Sequence, residues 1–195
     1  MTDQIKEFFR GLPDNAYSES RIERALTHAT EDNQFRKTNY GKYLVLLCGD
    51  HNGKEINLAF LKSFKEELRN TYGISCCIGD DYIQKAKGAR EEDIRRAYLK
   101  DADIIVLING ESPGTLDEYN DIRADKDLKR KTIAFFKYNT FDQIKTLPDL
   151  QNYICEFKYP VPYRTMDELK AIAIFGIKHM VLYLINKELI TGGGQ

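Results

Sequence analysis

Asp103-Ile104-Ile105-Val106-Leu107-Ile108-Asn109-Gly110-Glu111-Ser112-Pro113-Gly114-Thr115-Leu116-Asp117-Glu118 is the stretch that decides the fold. Five β-favouring apolar residues stand in a row, without alternation. Such a run predicts a strand covered on both faces. Gly110, Pro113 and Gly114 end it, and Thr115 with Glu118 three residues on has the spacing of a capping box that opens a helix. A buried strand, a tight loop and a helix amino end place Glu118 where open α/β sheets bind ligands.

Working outward, the same alternation recurs. Tyr43 to Cys48 is an apolar run closed by Gly49, the first predicted strand. Residues 55–71 carry Ile56, Phe60, Phe64 and Leu68 at a period of four, one face of a helix. Ile74 to Ile78 reads as the second strand, 89–100 as a charged helix with Ile94, Ala97 and Tyr98, and Thr132 to Phe136 as the fourth strand. Thr140 with Gln143 opens a short helix, Tyr153 to Phe157 is the expected fifth strand, and Thr165 with Glu168 caps a last helix to about Leu189. Strands separated by helices, without hairpin signals, imply parallel crossovers. The predicted class is therefore α/β: a three-layer sandwich of about five parallel strands, flavodoxin- or Rossmann-like. Residues 1–40 read as a helical extension, 41–190 as the α/β domain and 191–195 as a disordered tail. The last helix is apolar nearly all round, from Ala171 to Ile185. That pattern means either burial in the domain or a subunit interface, and the expectation taken is a homodimer through residues 166–189.

Composition narrows the function. The 29 basic and 30 acidic residues nearly cancel, so nothing argues for nucleic acid or a membrane surface as partner. No apolar run approaches the roughly 20 residues of a spanning helix, and no signal-peptide core opens the chain. Cys48, Cys76, Cys77 and Cys155 lack metal-type spacing and read as reduced thiols of a cytoplasmic protein. No pair of histidines has metal spacing, and neither metal nor other cofactor is expected.

Three groups carry candidate chemistry. Glu118 is either a cap or a functional carboxylate; the chain repeats the box at Ser20/Glu23, Thr140/Gln143 and Thr165/Glu168, so only its position after a central strand sets it apart. Gly49-Asp50-His51-Asn52-Gly53-Lys54 follows the first strand; two glycines around small polar residues suit either an ordinary turn or a loop whose amides approach a ligand. It matches neither the dinucleotide fingerprint nor a P-loop. Asp80 and Asp81 after the second strand suit a ribose contact or a solvated turn, and Asp93 stands in the first turn of a helix, where an acid favours the dipole in any case.

Ser112-Pro113-Gly114-Thr115-Leu116-Asp117-Glu118 resembles the Ser/Asp-x-Gly-x-x-x-Glu segment of the nucleoside 2-deoxyribosyltransferases and related deoxynucleoside monophosphate N-glycosidases. Leu46-Leu47-Cys48-Gly49 with the loop to Gly53 resembles their first strand and nucleotide-binding loop, and Asp101-Ala102-Asp103 with its strand resembles the segment before their glutamate. The similarity spans about residues 43–137. It departs after the glutamate, where Tyr119, Asn120 and Asp121 replace an apolar residue, Gly and Ala. Phosphoribohydrolase-like sensor proteins and TIR-like domains share the look. The resemblance implies Glu118 as a nucleophile at the anomeric carbon of a nucleoside, nucleotide or NAD. It implies Asp93 or Asp50 as proton-transfer aid, and Gly49, Asp50, His51, Asn52, Gly53, Asp80, Ser112, Gly114 and Thr115 around the substrate. A non-catalytic nucleotide sensor or interaction domain is the rival expectation.

Overall fold

The computed structural model describes residues 40–86, 88–109, 112–137 and 159–192. The expected 1–40 extension, apart from Tyr40, lies outside them, as do the Ser20/Glu23 and Thr140/Gln143 boxes, the Tyr153–Phe157 strand and residues 193–195.

Within the described residues the chain runs β1 (Leu44–Cys48), α1 (Leu58–Tyr72), β2 (Ser75–Ile78), α2 (Gly79–Ile83), α3 (Glu91–Asp101) and β3 (Ile104–Ile108). It continues through α4 (Pro113–Ala124), α5 (Lys126–Arg130), β4 (Thr132–Lys137), β5 (Tyr159–Tyr163) and α6 (Met166–Gly192). The five strands form one sheet in the order β2-β1-β3-β4-β5, and every pairing is parallel. Parallel strands lie buried on both faces, and β3 has no exposed residue.

Side-chain alternation divides the core into two layers. Val45, Leu47, Val106, Ile108, Ile133 and Phe135 pack with Leu61, Phe64 and Leu68 of α1 and with Leu169, Ala173 and Ile177 of α6. Leu46, Cys48, Ile105, Leu107, Ala134 and Phe136 face the other way, against Ile94, Tyr98 and Leu99 of α3, Ile122 of α4 and Leu128 of α5. Helices therefore cover both faces of the sheet, in three layers.

One helix boundary that differs from expectation and one strand not expected from the sequence have local reasons. Helix α1 starts at Leu58 because Asn57 caps it, its Oδ1 accepting the Phe60 amide at 2.9 Å. It ends at Gly73, whose φ of 68° is left-handed. Strand β5 carries Pro160 and Pro162, a pattern that hides a strand in sequence; both are tolerated because, among the described residues, β5 is an edge, hydrogen-bonded to β4 alone.

At the start of α6, Thr165 Oγ1 accepts the Glu168 amide at 3.2 Å, one half of the expected capping box, while Glu168 reaches back past the cap to the Arg164 amide at 2.8 Å. It runs past Leu189 to Gly192. One face is buried in the domain, whereas Phe175 (72% exposed), Leu182, Tyr183 and Ile190 (81% exposed) stand in solvent. No helix among the described residues is long and apolar enough to cross a membrane.

Candidate functional site

In this strand order the chain leaves β1 toward β2 on one side and reaches β3 on the other. The crevice beyond the carboxyl ends of β1 and β3 is thus the topological switch point, where such sheets bind ligands. A cleft of about 290 Å³ lies there, lined by Gly49, His51 and Asn52 after β1, Gly79 and Ile83 of α2, Glu91, Arg95 and Tyr98 of α3, and Ser112, Pro113, Gly114, Thr115 and Glu118 at the start of α4.

The amino end of α4 corrects the capping box expected at Thr115/Glu118. The cap lies three residues earlier, with Ser112 as N-cap and Pro113 in the first turn; Ser112 Oγ accepts the Thr115 amide at 3.4 Å. Pro at the first helical position needs no hydrogen bond and has its φ preset. Glu118 therefore stands in the second turn, too far along for a cap. With Thr115 and Ile122 it forms the buried face of α4, a carboxyl in a stripe where an apolar residue would pack, and it is only 7% exposed.

A buried carboxyl needs partners. Tyr98, from α3, donates its hydroxyl to Glu118 Oε1 at 2.7 Å, and the Cys48 thiol at the end of β1 adjoins it. Burial pushes the Glu118 carboxyl up to about 7, against the opposing pull of Tyr98, Cys48 and the Arg95 guanidinium. Burial also raises the Tyr98 hydroxyl and the Cys48 thiol far above their ordinary values, with the adjacent Glu118 charge adding to the effect. Both stay protonated donors at neutral pH. A carboxyl that titrates near neutrality, in a cleft, is suited to nucleophilic or acid–base work.

Asp50 ties the loops after β1 and β3 together. Its Oδ1 accepts the Ser112 amide at 3.0 Å and the Thr115 hydroxyl at 2.9 Å, and that hydroxyl lies 3.0 Å from Ser112 Oγ. Asp50 does not line the cleft; it holds the residues that do. Gly53 also stands back from it, and a Cβ there would collide with the Ile56 carbonyl.

Of the residues expected from sequence, Glu118, Gly49, His51, Asn52, Ser112, Gly114 and Thr115 come together in the cleft. Asp93 and Asp80 do not. Asp93 is exposed and paired with Arg90 at 2.8 Å, which holds its carboxyl below the ordinary value. Asp80 bonds to Lys62 at 3.1 Å and to Gln84 at 2.9 Å. Sequence reasoning passed over Glu91, Arg95 and Tyr98. Their spacing of four and three residues puts them on one face of α3, and that was the available signal. Arg95 bonds Asp121 at 2.6 Å and Asp117 at 3.2 Å, locking α3 to α4. Among the described residues no group of His, Cys, Asp or Glu side chains is placed to hold a metal ion.

No protein-family model matches the chain, and no curated protein gives a significant match. The chemistry of the cleft therefore carries the functional reading.

Proposed function

We propose that the protein breaks, or exchanges, the N-glycosidic bond of a nucleoside, nucleotide or NAD, with Glu118 as nucleophile. One observation carries the reading: a carboxyl buried at the switch-point cleft, held by Tyr98 and serving no cap. The resemblance of Ser112–Glu118 to the deoxyribosyltransferases supports the same bond. Ionised Glu118 attacks C1′ of the sugar as the base departs, and water or a second base resolves the glycosyl ester. Glu91, which lines the cleft, takes the proton-transfer role that the resemblance gave to Asp93 or Asp50. The loop of Gly49, His51 and Asn52 holds the sugar. The test is the appearance of free base or nicotinamide from deoxynucleosides, their monophosphates and NAD, and its loss in Glu118→Ala.

The displacement of Asp93 from the cleft favours a second reading, a nucleotide sensor that binds without turnover. Tight binding with no released base would select it.

We also propose a cytoplasmic homodimer. The unpaired Cys48, Cys76 and Cys77 thiols suit a reducing compartment. The exposed Phe175, Leu182, Tyr183 and Ile190 of α6 suit a two-fold contact with a second copy.

A further inference from the structure

Two features of the cleft are of the kind that grip phosphate: the Arg95 guanidinium and the amino end of α4. Each already holds a carboxylate of this chain. Arg95 is bonded through Nε to Asp121 and through Nη1 to Asp117. At the amino end of α4, Asp50 accepts the Ser112 amide and the Thr115 hydroxyl, Ser112 accepts the Thr115 amide, and Pro113 has no N–H to offer, so that of the first-turn amides only that of Gly114 is not engaged by these groups. Glu91 is exposed on the lining and makes no ion pair among the described residues. Among the described residues, the lining and its direct partners thus carry the carboxyls of Asp50, Glu91, Asp117, Glu118 and Asp121 against the one guanidinium of Arg95.

A phosphate entering this cleft would meet like charge at both points that attract anions. A cationic ligand would meet carboxylates at the rim and on the floor. We infer that the cleft takes a phosphate-free nucleoside whose base is positively charged at the glycosidic nitrogen. The inference rests on the N-glycosidic reading above and narrows its substrate class.

The chemistry agrees with the charge. A Glu118 oxygen bonds to C1′ while the C1′–N bond breaks, its electron pair passing to the ring nitrogen and cancelling the positive charge. The base leaves neutral and needs no proton, so a weakly placed general acid suffices. Water then attacks C1′, its proton passes to Glu91 or solvent, and Glu118 departs as carboxylate. Discrimination against the phosphorylated analogue is repulsive in origin, built from Asp50, Asp117 and Asp121.

The test is calorimetric titration of the wild type and of Glu118→Gln, which keeps the ligand intact. The probes are nicotinamide riboside, its 5′-monophosphate and neutral 2′-deoxyadenosine. The riboside is expected to bind at least tenfold more tightly than either, with the margin shrinking as ionic strength rises. Replacing Asp117 and Asp121 together by Asn frees Arg95 and should improve monophosphate binding. A monophosphate or deoxynucleoside affinity within tenfold of the riboside's overturns the inference, and leaves the glycosidase reading standing wherever base release is seen. Failure of all three to bind at millimolar concentration, with no base released, overturns both.

Discussion

Tyr98 and Glu118, 20 residues apart and on different helices, meet in a buried hydrogen bond of 2.7 Å. The bond joins α3 to α4 across the floor of the cleft and gives the carboxyl its one strong donor. Beside it, the Arg95 bonds to Asp117 and Asp121 fix the same two helices at the rim. The glutamate is thus held by a frame of side chains, as a precisely oriented reacting group requires.

Tyr98→Phe removes that donor without removing the ring. The hydroxyl lowers the Glu118 pKa, so its loss should move the acid limb of the pH–rate profile upward. Activity at pH 6 should fall about tenfold while KM changes little, since one pK unit of displacement is one factor of ten. A pH–rate profile on wild type and variant checks this.

Glu118 should also weaken the fold above neutrality. Its carboxyl is raised from 4.5 to about 7 by burial, so between those values the folded state binds more protons than the unfolded one. Stability therefore falls as pH rises through that window. Glu118→Gln removes the titration. Relative to wild type it should gain on the order of 3 kcal/mol above pH 8 and nothing attributable to ionisation below pH 4.5. Urea unfolding of both proteins at pH 4 and pH 8 gives the difference directly.

Much of this arrangement was legible in the chain. Ile104 to Ile108 announced a central strand by five apolar residues in succession, and the alternation around it fixed a parallel three-layer sheet. The start of α4 was misread because Thr115/Glu118 has capping-box spacing, while Ser112 before Pro113 is the stronger signal. The two glutamates part in space: Glu168 turns back to the Arg164 amide, whereas Glu118 reaches across to Tyr98 of α3. Spacing is blind to that choice, which tertiary packing makes. Asp50 shows the same limit. Its partners lie 62 and 65 residues away, and only folding brings the loops after β1 and β3 side by side.

Gly53→Ala and Gly114→Ala should behave oppositely. A Cβ at Gly53 meets the Ile56 carbonyl, a backbone atom that moves only with the whole loop, whereas a Cβ at Gly114 has open space around it. Gly53→Ala should cost about 1–3 kcal/mol and weaken ligand binding through displacement of His51 and Asn52. Gly114→Ala, inside a helix, should hold or gain up to about 1 kcal/mol. Thermal unfolding of the two variants separates them.

Phe175→Lys tests the proposed α6 contact. The ring is 72% exposed in the single chain, so the substitution should change the monomer's stability by less than about 0.5 kcal/mol. Sedimentation velocity should show a wild-type dimer and a monomeric variant. A wild-type monomer at micromolar concentration would remove the two-fold contact.

The nucleophilic role of Glu118 is tested most directly by following free base over time, by chromatography, from nicotinamide riboside, deoxynucleosides, their monophosphates and NAD. Wild type should release base from at least one of them, and Glu118→Gln, which fills the same space, should lower that rate about a thousandfold or more while staying folded. Release by Glu118→Gln within about tenfold of wild type, or no release from any of these compounds by the wild type, would contradict the account.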